Sequence, residues 1–297
     1  MDQATGLREL VRRQQTNNSA SLRKSMERTM RIVAVTSGKG GVGKSNFVAN
    51  TAMALADRGE RVVIFDADFG LANIDVLYGL SPTWNLGHVL RGEKKFSEIM
   101  LGGPRGVLIV PATSGVQEMA ELTAYQREEL LSNLTQLNSE ADYLLIDTAS
   151  GIAQNVTHLL NLADEVVVVT TPEPTALVDA YAIIKLVIGE CETKPVSVVV
   201  NQVEYSNDAG LVVDELNMIT NRFLNRRVTL LGGIEKDHNV VQAVQAQKPL
   251  LDYSPNSPAG RSFRVIAERL TRNGRKPSLQ SAARAAYQTS TGLQMRI

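Results

Sequence analysis

Eight consecutive residues, Gly38-Lys39-Gly40-Gly41-Val42-Gly43-Lys44-Ser45, hold four glycines, two lysines and a serine. They fit the pattern G-x-x-x-x-G-K-[ST]. Its glycines let a backbone wrap a phosphate with its N–H groups, and a helix opening there adds about half a positive charge. In that chemistry Lys44 neutralises the β and γ oxygens and the Ser45 hydroxyl holds Mg2+. Lys39 is surplus to such a loop. It is either a solvated charge or a lysine that points out of its own site into a partner's. Two further acidic positions follow apolar runs: Asp66-Ala67-Asp68 after Arg61–Phe65, and Asp147 after Tyr143–Ile146. Carboxylates two residues apart at a strand end also suit a simple helix cap.

The elements that must position these residues are legible from pattern. Arg31–Thr36 is a short β-branched run that stops at the glycines, which predicts a buried strand. Ser45–Arg58 carries a helical repeat ended by Gly59. Further strands are predicted at Arg61–Phe65, Gly106–Val110, Tyr143–Ile146, Glu165–Thr170, Val196–Val200 and Val228–Gly232. Helices are predicted near 84–91, 123–138, 151–162, 174–189, 209–224, 237–245 and 258–272. Runs such as Val166-Val167-Val168-Val169 indicate strands covered on both faces, as in a parallel sheet. Strands alternating with helices predict a doubly wound α/β fold with a mostly parallel sheet. Three candidate elements on successive strand ends agree with ligand binding at the carboxyl edge of such sheets. Polar sequence at 14–30 reads as a linker and Asn273-Gly274-Arg275-Lys276-Pro277 as a boundary. The expected layout is an N-terminal segment 1–13, the linker, a domain at 31–272 and a tail at 273–297.

Composition narrows the function. The chain has 297 residues, 43% of them apolar, with 31 basic and 31 acidic side chains. Zero net charge argues against a globally basic nucleic-acid binder. The layout is uneven, however. Residues 1–31 carry seven basic and three acidic groups and residues 271–297 carry five basic and no acidic ones, leaving an acidic body. Basic ends on an acidic body suit an anionic partner. Cys191 is the only cysteine, so no internal disulfide and no multi-cysteine metal site is available from one chain. No apolar run reaches a membrane-spanning length, and the N-terminus lacks a signal-peptide core, which makes the cytoplasm the expected compartment.

Lys39-Gly40-Gly41-Val42-Gly43-Lys44-Ser45 resembles the deviant Walker A loop of the MinD/ParA ATPases. That resemblance implies an ATP-hydrolysing switch that pairs on ATP, with ATP/ADP and Mg2+ as cofactors. Lys39 would cross to the facing ATP, Asp68 would position the attacking water, and Ser45, Asp66 and Asp147 would stand at the metal. The nucleotide contacts carried over are Gly38, Lys39, Gly40, Gly41, Val42, Gly43, Lys44, Ser45, Asn46 and Asn201. Asn201, in Val198-Val199-Val200-Asn201-Gln202-Val203, would read adenine. Where the family commonly has Ile-Pro-x-Asp, this chain has Ile234-Glu235-Lys236-Asp237.

Asp66-Ala-Asp-Phe-Gly-Leu-Ala-Asn-Ile-Asp-Val-Leu-Tyr-Gly79 and Thr170-Thr-Pro-Glu-Pro-Thr-Ala-Leu-Val-Asp-Ala-Tyr-Ala182 are similar to the FlhG branch (also FleN, YlxH) of that family. Asp2, Gln3, Ala4, Leu7 and Arg8 look like its D-Q-A-x-x-L-R activator motif. This branch sets flagellar number and placement. It implies an FlhF-like GTPase partner stimulated by the N-terminus, and contacts with flagellar basal-body or C-ring proteins or a flagellar transcription activator. MinD relatives end in a membrane-lying helix. Residues 278–297 offer a thin apolar side with Leu279, Ala282, Ala283, Ala286 and Tyr287, equally consistent with peripheral association at the inner face of the cell membrane in the ATP state and with a solvated end. A ParA-type partition ATPase on DNA, using Arg222, Arg226 and Arg227, and a division-site MinD are the alternatives. The acidic body makes DNA the weaker partner. An iron–sulfur carrier like the nitrogenase iron protein would need two cysteines per chain.

Overall fold

The computed structural model describes residues 30–69, 72–112, 124–151 and 154–272. The expectations for 1–13, for 14–29 of the linker and for the tail at 273–297 lie outside the described residues. The strands are β1 Arg31–Thr36, β2 Val62–Ala67, β3 Leu101–Gly102, β4 Leu108–Val110, β5 Tyr143–Thr148, β6 Glu165–Thr170, β7 Val196–Val203 and β8 Thr229–Glu235. The α-helices are α1 Lys44–Ala56, α2 Ile74–Leu77, α3 Leu86–Leu90, α4 Phe96–Ile99, α5 Ala124–Gln136, α6 Gln154–Leu162, α7 Pro174–Glu190, α8 Ala209–Leu224, α9 His238–Gln245, α10 Leu250–Tyr253 and α11 Pro258–Arg272.

The strands form one sheet in the order β3-β4-β2-β5-β1-β6-β7-β8. Every neighbouring pair is parallel except β3 with β4. The expected doubly wound sheet is therefore present, with an antiparallel edge that the sequence did not announce. The central strands are buried along their whole length, as their apolar runs require. Their side chains alternate between two cores. Ile32 and Ala34 face one layer with Leu134 of α5, Leu160 of α6, Ile183 of α7 and Leu216 of α8. Val33 and Val35 face the other, with Val48 and Leu55 of α1, Leu251 of α10 and Phe263 and Ile266 of α11.

Several boundaries differ from the sequence reading for physical reasons. Gly106 is not in β4: its φ of 77° places it in the turn that leads in. β8 runs three residues further than expected, to Glu235, because β7 keeps supplying a pairing edge. Met30 closes the expected linker at 14–30. It is buried, and its N–H donates to Asn138 Oδ1 at 2.6 Å.

Both ends of the described domain are tied at the N-terminal edge of the sheet. Arg31 pairs with Glu165 and donates through Nη1 to the Leu270 carbonyl at 2.7 Å. That clamp fixes α11 against the sheet, where Phe263 meets Phe47 of α1 with ring centroids 6.5 Å apart. Helix α1 is thereby held from behind, and its N-terminus is set at the carboxyl edge.

Candidate functional site

The loop between β1 and α1 is shaped by its glycines. Gly41 and Gly43 have φ of 80° and 91°, the left-handed region that side chains seldom adopt. Gly38 is needed for space: a Cβ there would lie 2.3 Å from the Asp179 carbonyl oxygen of α7. Helix α1 begins without a side-chain cap and without an acid in its first turn. Its first N–H groups are left for an anion, and the dipole favours one there.

Around this loop three strand ends supply charge. Asp66 and Asp147 are register partners on β2 and β5. Lys44 is buried and donates from Nζ to Asp147 Oδ1 at 2.6 Å, with Asp68 Oδ2 at 3.9 Å. Burial pushes the Asp147 carboxyl above its ordinary range, opposed by the Lys44 charge and by hydrogen bonds from Lys44 and Ser45. Among the described residues Asp147 Oδ2, although buried, has no hydrogen-bond partner. A buried carboxylate oxygen left without a donor fits the surroundings of a hydrated cation, with Ser45 beside it.

Asp66 does different work. Its Oδ1 accepts from Asp68 N at 3.2 Å, and its Oδ2 accepts from Asn73 N and Ile74 N, both at 3.1 Å. It therefore organises the turn that carries Asp68. Burial, and then the charge of Asp147, push Asp66 up to about 7. Asp68 itself is partly exposed, at 21%. One segment thus holds a buried acid that shapes the loop and a reachable acid that faces Lys44.

Lys39 stands outside this cluster. Its Nζ lies 3.0 Å from Glu173 Oε2, and both side chains are exposed, at 44% and 62%. Asn201 reaches the loop from β7: its Nδ2 donates to the Val42 carbonyl at 2.8 Å. Asp237 of the departed Ile-x-x-Asp stretch caps two helices, accepting from Asn239 N at 2.9 Å and Ala259 N at 3.2 Å. Sequence reasoning passed over Glu173, although it lies in the Thr170–Ala182 stretch. It also passed over Thr148, whose hydroxyl donates to the Val35 carbonyl at 3.1 Å and ties the ends of β5 and β1 together. A polar residue closing an apolar strand was the available signal for Thr148.

A glycine cradle at a helix N-terminus, a buried lysine and two paired strand-end carboxylates make a site for a metal-bound polyphosphate. The ParA family model, described as NUBPL iron-transfer P-loop NTPase, matches residues 28–271. The chain belongs to the ParA/MinD family of P-loop NTPases. It is an ATPase, with ATP and Mg2+ as the family's cofactors. The antiactivator FleN of Pseudomonas aeruginosa is 39% identical over 241 residues, covering 81% of this chain and 86% of that protein. The flagellum site-determining protein YlxH of Helicobacter pylori is 34% identical over 238 residues, 80% of each. Among solved structures, the cell division ATPase MinD of Pyrococcus furiosus superposes with a TM-score of 0.70 at 24% identity, over 82% of this chain and 99% of that one, which shows the shared fold. The sequence resemblance to the MinD/ParA ATPases, and to their flagellar branch, is therefore upheld. Iron transfer is not carried over to a chain with one cysteine, Cys191. Among the described residues no helix is long and apolar enough to cross a membrane.

Proposed function

We propose that this ATPase is a switch that sets flagellar number and placement. The observation that carries the reading is the likeness of four-fifths of the chain to two relatives whose names, FleN antiactivator and YlxH flagellum site-determining protein, are flagellar. ATP brings two copies face to face, with Lys39 of each reaching the facing triphosphate. Such a trans cation adds charge where the transferred phosphoryl group builds it up. Lys44 and the backbone from Gly38 to Asn46 would hold the phosphates; Ser45 and Asp147, with Asp66 beside them on the neighbouring strand, would hold Mg2+, which would screen phosphate charge. Asp68 orients the water that attacks the γ-phosphorus. ADP leaves with the bridging oxygen, phosphate departs and the pair separates. Partners read the difference between the two states.

Residues 2–8, with Gln3 foremost, stimulate an FlhF-type GTPase, and basal-body or C-ring proteins or a flagellar transcription activator take the output. The basic tail adds peripheral membrane contact in the paired state, where two weak anchors act together. A pull-down with wild type and Gln3→Ala, scored for capture and stimulation of an FlhF-type GTPase, tests the reading. Stimulation by wild type and its loss in Gln3→Ala are expected. Equal stimulation by both proteins, or none by either, would contradict the assigned partner.

A further inference from the structure

Strands β7 and β8 do not pair evenly. Their register slips between Asn201 and Val203, and Gln202 there has a φ of 60°, where a non-glycine residue seldom sits. One residue is bulged out, which re-aims its neighbour. Gln202 is exposed, and Asn201 lies over the phosphate loop. The Asn201 amide is fixed from both sides. Its Nδ2 donates to the Val42 carbonyl at 2.8 Å, and its Oδ1 accepts from Gln202 N at 2.9 Å. The fit is close: a Cβ on Gly43 would lie 2.3 Å from that Nδ2.

A trans peptide is planar, with C=O and N–H pointing opposite ways. Anchoring the Val42 carbonyl therefore fixes the direction of the Gly43 N–H. Glycines at 41 and 43 give the loop freedom to turn that peptide over, so it needs an anchor from outside. Asn201 supplies one from 159 residues away in sequence.

We propose that Asn201 is a positioning residue for the phosphate loop: through the Val42 carbonyl it sets the peptide that meets the phosphates. A carboxamide has a second N–H and a further lone pair. The same side chain can therefore touch a base edge while it braces the loop, and base and phosphate recognition share one amide. This inference rests on ATP use at this loop and is independent of the flagellar reading.

The test compares binding of Mg-ATP with binding of Mg-tripolyphosphate, which offers phosphates and no base, by titration calorimetry on the full chain. A residue that only reads the base would leave tripolyphosphate binding alone. Asn201→Ala is expected to weaken tripolyphosphate about tenfold, the usual scale for one well-placed hydrogen bond, and ATP at least as much, because ATP also loses the base contact. Ligand-free melting shows that the variant is folded. Gln202→Val keeps the Asn201 amide but disfavours the left-handed backbone that aims it, and is expected to weaken tripolyphosphate similarly. Tripolyphosphate binding within about twofold of wild type in folded Asn201→Ala overturns the proposal. If Asn201→Ala does not fold, Gln202→Val decides by the same criterion.

Discussion

Lys39 Nζ and Glu173 Oε2 lie 3.0 Å apart, joining the surplus lysine of the phosphate loop to the segment that opens α7. Both side chains are well exposed, so solvent screens the pair and it contributes little to folding. Lys39→Ala and Glu173→Ala are each expected to change the unfolding free energy by less than about 1 kcal/mol in a urea titration. A larger loss would mean that Lys39 is a structural residue, and its place in the proposed trans contact would lose its support.

Gly43 faces two constraints at once, a φ of 91° and the Asn201 amide where a Cβ would stand. Gly43→Ala carries about 1–2 kcal/mol of backbone strain and must also displace Asn201. The expected result is a fold that melts a few degrees lower and binds ATP at least about tenfold more weakly. Wild-type nucleotide affinity in this variant would show that the loop adopts another shape when loaded.

Asp66 predicts a pH dependence of the ligand-free protein. Its carboxyl sits at about 7 in the fold against an ordinary value of 3.8. The folded state thus holds that proton more tightly than the unfolded one. The associated stability is complete below the unfolded value and is lost as pH rises through 7, at roughly 1 kcal/mol per pH unit where the two states differ. Asp66→Asn removes the titration, so its stability is expected to fall less than wild type between about pH 5 and about pH 8. Parallel curves in denaturant titrations would contradict the assignment.

Arg31 and Glu165 pair at the opposite edge of the sheet, and Glu165 is buried. Removing one partner of such a pair leaves a charge without compensation. Arg31→Ala is therefore expected to cost about 3–5 kcal/mol of unfolding free energy. It also frees α11 from its contact at the Leu270 carbonyl. A cost below about 1 kcal/mol would show that the clamp does not hold the helix.

What the sequence disclosed and what it concealed follow from range. The parallel sheet was legible because each central strand is an apolar run, and the phosphate loop because its whole chemistry lies in consecutive residues. Strand β3 has two residues and its pairing is visible only against Leu108 and Ile109. Helices α2, α4 and α10 have four residues each, too short to show a period. The partners of Lys39 and Val42 lie 134 and 159 residues away, and no local pattern encodes such contacts. The sequence points to Asn201 for the base alone, and its hydrogen bond to Val42 is a contact only the fold discloses. That bond sits beside the bulge at Gln202, and a lone glutamine does not announce one.

Light scattering of Asp68→Ala with ATP and Mg2+ tests the proposed switch most directly, because a protein that binds but does not hydrolyse should stay paired. The account predicts twice the monomer mass for Asp68→Ala in ATP, the monomer mass in ADP, and the monomer mass in both nucleotides once Lys39→Ala is added. A Asp68→Ala protein that binds ATP and yet remains a monomer, or a pair that persists without Lys39, would contradict it.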